Sequence, residues 1–221
     1  MALFRIKICG VTRPEDAAAI AAAGADAIGL NFYAQSPRFV TDDRAAEILA
    51  ALPTEVAKVG VFVNSPVDAI LAKVASLGLD WVQLHGDEPP EFLQGLPGIR
   101  VIRAVRLQDR ASVVLPKANG QLVRLPQAVL IDAFAPDSYG GTGKTVAWEA
   151  IPEARRRLAG LPIILAGGLT AENVAEAIRV ARPDAVDTAS GVELSAGIKD
   201  AEKIQAFVRA ASETFYRLAQ D

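Results

Sequence analysis

The chain has 221 residues, 51% of them hydrophobic, which suffices for one sizeable α/β core. A net charge of -3 does not suggest nucleic acid or an anionic membrane as partner, since both favour a basic face. One cysteine and one histidine exclude an internal disulfide and leave no His/Cys zinc set, as expected of a cytoplasmic protein with no metal. The first residues lack the charged and apolar regions of a secretory signal, and no run reaches the roughly eighteen apolar residues of a membrane span.

Apolar, β-branched runs predict strands over 4–9, 26–32, 57–63, 80–84, 100–105, 128–133, 162–166 and 184–187. Between them lie alanine- and leucine-rich stretches with helical spacing: PEDAAAIAAAG, DRAAEILAAL, VDAILAKVASLG and AENVAEAIRVA. AAAGADAIGL and ASLGLDWVQL share an order of helix, glycine, one residue, aspartate, strand. Glycine there supplies the left-handed residue that closes a helix, and the proline of ARPDAVD is expected to act as a similar stop. GDEPPEFLQGLPG makes the fourth helix the weakest, and KANGQLVRLP predicts an irregular excursion before the sixth strand. Eight strand–helix units with parallel crossovers favour a single-domain (β/α)8 TIM barrel over 1–221, rather than an open sheet. Its active site then lies at the C-terminal strand ends.

Alternation along the first strand puts Phe4, Ile6 and Ile8 on one face and Arg5, Lys7 and Cys9 on the other. Cys9 then stands above Lys7 in the barrel mouth, either as a small packed side chain or as a thiolate that the lysine stabilises. Asp132 ends the sixth strand on the face of Ala128 and Leu130, either capping a loop or acting as a general acid. LAGGLTAENV offers Gly167 and Gly168 before a helix expected from about Thr170, and VDTASGVE offers Ser190 and Gly191. On adjacent final strands the two loops predict a phosphate site. YGGTGKTVAW looks like a nucleotide loop, but Ser138 stands where that motif needs glycine; a loop closing over substrate fits better. Arg38 in YAQSPRFV offers a fork for a carboxylate, or is a solvated arginine. Gln83 and His85 end the fourth strand, the histidine either polarising substrate or bonding its own loop.

Taken in order, KICGVTRPEDA, GLNFYAQSPRFV, VQLHGDE, LIDA, GGTGKT, LAGGLTAENV, VDTASGVE and GIKDAEKI resemble the phosphoribosylanthranilate isomerases of tryptophan biosynthesis. The resemblance implies an Amadori rearrangement of N-(5-phosphoribosyl)anthranilate with no cofactor, Cys9 as general base and Asp132 as general acid. It implies substrate contacts at Arg38, Gln83, His85, Gly141 and Gly143, with Arg38 on the anthranilate carboxylate. Phosphate contacts are implied at Gly167, Gly168, Asp187, Ser190 and Gly191. The partner implied is a small phosphorylated molecule, taken up by a monomer or homodimer. One departure is visible: the family usually reads VDVSSGVE, and this chain has Thr188 and Ala189 at its third and fourth positions.

Rival readings fit less well. Metal-dependent sugar-phosphate epimerases resemble enzymes with several histidines. A barrel that only binds needs neither Cys9 nor Asp132, and a thiol sensor lacks a second cysteine within the chain.

Overall fold

A computed structural model describes residues 3–106, 117–118, 121–122, 124–132, 148–158 and 160–220. Eight parallel strands close into a barrel: β1 (Ile6–Cys9), β2 (Ala27–Asn31), β3 (Ala57–Phe62), β4 (Trp81–Leu84), β5 (Arg100–Arg106), β6 (Ala128–Asp132), β7 (Ile163–Ala166) and β8 (Ala185–Thr188). Closure is made by β1, which pairs with β2 through Cys9 opposite Gly29 and with β8 through Lys7 opposite Asp187. Among the described residues six helices pack outside: α1 (Pro14–Ala22), α2 (Asp42–Ala50), α3 (Val67–Leu77), α4 (Ile151–Arg157), α5 (Val174–Ala181) and α6 (Ala201–Leu218). Among the described residues, no helix is long and apolar enough to cross a membrane.

Strand alternation divides the core in two. Ala27, Val59, Trp81, Ile102, Leu130, Ile164 and Ala185 fill the barrel. Their neighbours Ile28, Val82, Val129, Leu165 and Val186 face outward and pack with Ile20, Ile48, Ile70, Ile178 and Phe207 of the helices. Each such buried aliphatic side chain contributes about 1.5–3 kcal/mol. One expected face is corrected. Phe4 belongs to the inner cluster, edge-on to Trp81 at 5.9 Å, while Arg5 is exposed with its guanidinium 5.5 Å from the Phe215 ring centre. Strand pairing begins only at Ile6, and the bend at Arg5 breaks the alternation that the sequence extends back to Phe4.

The aspartates just before β2, β4 and β8 hold the lower rim. Asp26 Oδ2 accepts from the N–H groups of Arg5 and Ile6 at 3.0 and 2.9 Å, Asp80 from Lys58 at 2.9 Å, and Asp184 from Ile163 at 2.8 Å. Gln127 does the same for Val101 at 2.6 Å. The residue before each even-numbered strand thus satisfies a backbone donor at the start of the preceding odd-numbered one.

Helix ends follow local chemistry. Thr41 and Asp200 accept from the first N–H groups of α2 and α6, and Gly78 closes α3 in the left-handed conformation. Arg182, with φ 48°, takes that role after α5, so it is Arg182 rather than the following proline that makes the stop. Pro89 and Pro90 open a 3-10 helix (Pro90–Gly95) in place of a fourth α-helix, consistent with the proline-rich sequence. Helix α5 starts at Val174, later than expected, because Asn173 Oδ1 accepts from Thr170 N–H and forms a turn first. The excursion before β6 contains a two-residue ribbon (Lys117–Ala118 with Gln121–Leu122). Beyond it, Arg124 donates to the carbonyls of Leu93, Leu96 and Ile99.

Candidate active site

Cys9 ends β1 at the C-terminal rim, above Lys7. Lys7 is fully buried, and its ammonium is held by Asp187 of β8 at 2.8 Å. A central glycine of β2 makes the space. A Cβ on Gly29 would fall 2.6 Å from Cys9 Sγ and 3.2 Å from Lys7 Cε, so thiol and lysine share a gap that only glycine leaves open.

Charge around the thiol is finely opposed. Burial pushes Cys9 up from its ordinary value; the Lys7 and Lys199 ammoniums pull it down and the Asp187 carboxylate pushes it up again. The result lies above the ordinary thiol value, although Cys9 keeps some exposed surface at the mouth. Burial alone would lower Lys7, but Asp187 and Cys9 hold its ammonium above its usual value. Burial likewise pushes Asp187 up, and Lys7 offsets only part of that. Asp187 thus competes with Cys9 for the charge of Lys7, and burial sets the direction of the thiol's shift. Asp187, which the resemblance makes a phosphate contact, has its carboxylate on Lys7 inside the barrel.

A second charged group roofs the same strand end. Arg38 lies across Gly10, where a Cβ would come within 2.3 Å of Arg38 Cδ, and its fork is engaged by both carboxylate oxygens of Glu193 at 2.8 and 2.6 Å. Lys199 joins Glu193 at 2.9 Å. Burial works to raise Glu193, but Arg38 and Lys199 outweigh it and keep the carboxyl below its ordinary range. Burial lowers Lys199, with Glu193 compensating in part. Neither Glu193 nor Lys199 stands out in the sequence beyond its place in VDTASGVE and GIKD.

Asp132 ends β6 on the side of Ala128 and Leu130, half-buried at the same rim. Around the ring β6 is separated from β1 by β7 and β8. Across the mouth, Gln83 Nε2 and His85 Nδ1 lie 2.9 Å apart; Gln83 is buried and its Oε1 has no partner among the described residues. His85 is exposed yet near enough to act on Asp187. Buried Glu88 of VQLHGDE ties two loops, accepting from Asn64 N–H at 2.8 Å and Gly86 N–H at 3.1 Å and from Arg103.

The loops after β7 and β8 touch directly. Gly167 and Gly168 have φ 96° and 66°, a turn open to glycine. Gly191 packs so closely under Leu169 that a Cβ would sit 1.9 Å from its carbonyl oxygen. Thr188, one of the two departures from the family pattern, donates its buried hydroxyl to that same carbonyl at 2.6 Å. The hydroxyl thus ties the two loops. Ser190 opens a short 3-10 helix (Ser190–Val192) beside this contact. Gly141, Gly143 and Ser138 lie outside the described residues.

The architecture and sequence have close counterparts. The family model for N-(5'phosphoribosyl)anthranilate (PRA) isomerase matches residues 6–210. The N-(5'-phosphoribosyl)anthranilate isomerase of Acidithiobacillus ferrooxidans is 48% identical over 210 residues, covering 94% of this chain and 97% of that protein. The crystal structure of phosphoribosyl anthranilate isomerase from Thermotoga maritima superposes with a TM-score of 0.81 at 39% identity, over 96% of this chain and 100% of that one. A crystal structure of phosphoribosyl anthranilate isomerase in complex with reduced 1-(o-carboxyphenylamino)-1-deoxyribulose 5-phosphate has a TM-score of 0.79 at 36% identity, covering 96% and 100%. The chain belongs to the N-(5'-phosphoribosyl)anthranilate isomerase family, enzymes of tryptophan biosynthesis.

Proposed function

We propose that this isomerase converts N-(5-phosphoribosyl)anthranilate to 1-(2-carboxyphenylamino)-1-deoxyribulose 5-phosphate by general acid–base catalysis, without a cofactor. The observation that carries the mechanism is the pairing of one thiol and one carboxyl, Cys9 and Asp132, on separate strand ends of one barrel mouth. Two proton transfers at different substrate atoms need two separated groups.

Asp132 gives a proton to the furanose ring oxygen, and the C1–O bond opens to an iminium. Cys9, as thiolate, then removes the C2 hydrogen. The electron pair of that bond moves to C1 and nitrogen, leaving an enolamine. The enolamine gains a proton at C1 and loses its enol proton to become the ketone. Oxidation at C2 balances reduction at C1, so no outside oxidant or reductant is needed. A thiol that burial pushes up is compatible with this order, because the iminium places a positive charge beside Cys9 when ionisation is required.

The phosphate is held by the Gly167–Gly168 turn with Ser190 and Gly191, on loops that meet at Leu169 and Thr188. Binding there, away from the reacting carbons, positions the sugar. Arg38 receives the anthranilate carboxylate, and Gln83, whose buried oxygen has no partner among the described residues, accepts from a substrate hydroxyl. His85 and the glycines at 141 and 143 complete the substrate contacts. The bound reduced product in the structural relative has the phosphate and carboxylate this reading requires. A reducing cytoplasm suits a catalytic thiol.

Turnover of freshly made substrate in deuterium oxide tests the proposal. The product should carry solvent deuterium at C1, with the C2 hydrogen released to solvent. Absence of turnover by folded protein would overturn the reaction. Quantitative retention of the C2 hydrogen at C1 would indicate a hydride shift and overturn the acid–base path.

A further inference from the structure

Arg38 meets Glu193 through one edge of its guanidinium: Nε donates to Oε1 and Nη2 to Oε2. The adjoining end edge, Nη1 with the second N–H of Nη2, is not used by Glu193. A carboxylate can be received bidentately on that edge too. Glu193 is fixed in turn. It stands directly opposite Lys199 on an antiparallel ribbon (Glu193–Ser195 with Ile198–Lys199), and its Oε1 also accepts from Gly197 N–H at 3.2 Å.

Lys199 uses all three ammonium donors, on Glu193 Oε1 at 2.9 Å, the Cys9 carbonyl at 2.7 Å and the Ala189 carbonyl at 3.0 Å. One buried cation therefore joins the strand end of the thiol, the loop after β8 and the carboxylate that holds Arg38. Exposure falls inward along this chain: the Arg38 side chain is 23% exposed, Glu193 5% and Lys199 0%. Two cations and one anion leave a net positive charge, carried outward by Arg38.

We propose that Glu193, fixed by Lys199, is a positioning residue that makes the site selective for a substrate bearing an aromatic carboxylate. It grips the inner edge of the Arg38 guanidinium and presents the outer edge to the ligand. An arginine ordered beforehand loses less conformational freedom on binding, so the carboxylate gains more from it. This inference rests on the reading of Arg38 given above, as the group that meets the carboxylate.

The test is calorimetric binding of two probes: reduced 1-(o-carboxyphenylamino)-1-deoxyribulose 5-phosphate and the same molecule with phenyl in place of carboxyphenyl. The wild type should prefer the first. Glu193→Gln keeps the shape but puts an amide N–H against Arg38. It should cut that preference about ten- to a hundredfold, the usual scale for a hydrogen bond to a charged group, with little change for the probe lacking the carboxylate. Arg38→Lys, which cannot offer the fork, should do the same. Loss of preference in Arg38→Lys alone would overturn the role of Glu193 and leave that of Arg38 standing. Preference unchanged in both would remove the carboxylate reading of Arg38 and the inference with it. Equal weakening of both probes in Glu193→Gln would reduce Glu193 to a structural residue. If Glu193→Gln does not fold, Glu193→Asp draws the carboxylate back by one methylene, and unchanged preference there would equally overturn the proposal.

Discussion

Cys9 is held between two cations and one anion, and the anion has a testable consequence. Removing the Asp187 charge removes an influence that raises the thiol and frees Lys7 to pair with it. Asp187→Asn should therefore move the Cys9 titration to lower pH, increasing the thiolate fraction at neutral pH. Because Cys9 is the only cysteine, the pH dependence of alkylation by iodoacetamide reads this group alone. An unmoved or upward-shifted profile would contradict the assignment of the opposing charges. At this scale the sequence carried the stacking of Cys9 on Lys7, because alternation along one strand is local. It did not carry Asp187 as the partner of Lys7. That contact is made by strand closure between the first and last strands, 180 residues apart. Glu193 escaped notice for the same reason, since Arg38 reaches it across 155 residues of sequence.

Strands and their loops divide the labour between the two rims. At the lower rim, side chains before the even-numbered strands satisfy neighbouring backbone donors; at the upper rim stand Cys9, Asp132 and the glycines after β7 and β8, at the C-terminal strand ends. Asp26 illustrates the separation, with two backbone N–H groups on one carboxylate oxygen and no contact with the mouth. Asp26→Ala should lower stability by about 1.5–3 kcal/mol, the range for hydrogen bonds to a charged group, measured by urea unfolding. Its kcat/KM should remain that of the wild type. A comparable loss of kcat/KM in protein that remains folded would show that the rims are coupled. The strand runs were legible from apolar β-branched composition, to within a residue or two at most ends. Where capping chemistry competed with periodicity the ends moved: Asn173 delayed α5, and Arg182 rather than its proline closed it. Gly29 was readable as a strand residue but not as the gap for the thiol, which needs the register of β2 against β1.

As a whole molecule, the barrel brings residues from distant parts of the chain to one rim without requiring sequence neighbours to interact. The eight-fold alternation of strand and helix made the architecture legible, since few topologies satisfy it. The functional surface was legible as a set of strand-end motifs but not as a network. The charged chain from Lys199 through Glu193 to Arg38, and the Thr188 tie between the last two loops, exist only once the barrel has closed. The central claim is that this rim carries out a proton-transfer isomerisation with Cys9 as its base. The most direct test is the decay of anthranilate fluorescence when freshly made N-(5-phosphoribosyl)anthranilate meets wild-type protein and folded Cys9→Ala. Rapid decay with wild type and a loss of about two to four decades in kcat for the variant is the predicted result. Turnover by folded Cys9→Ala close to the wild-type rate would contradict it.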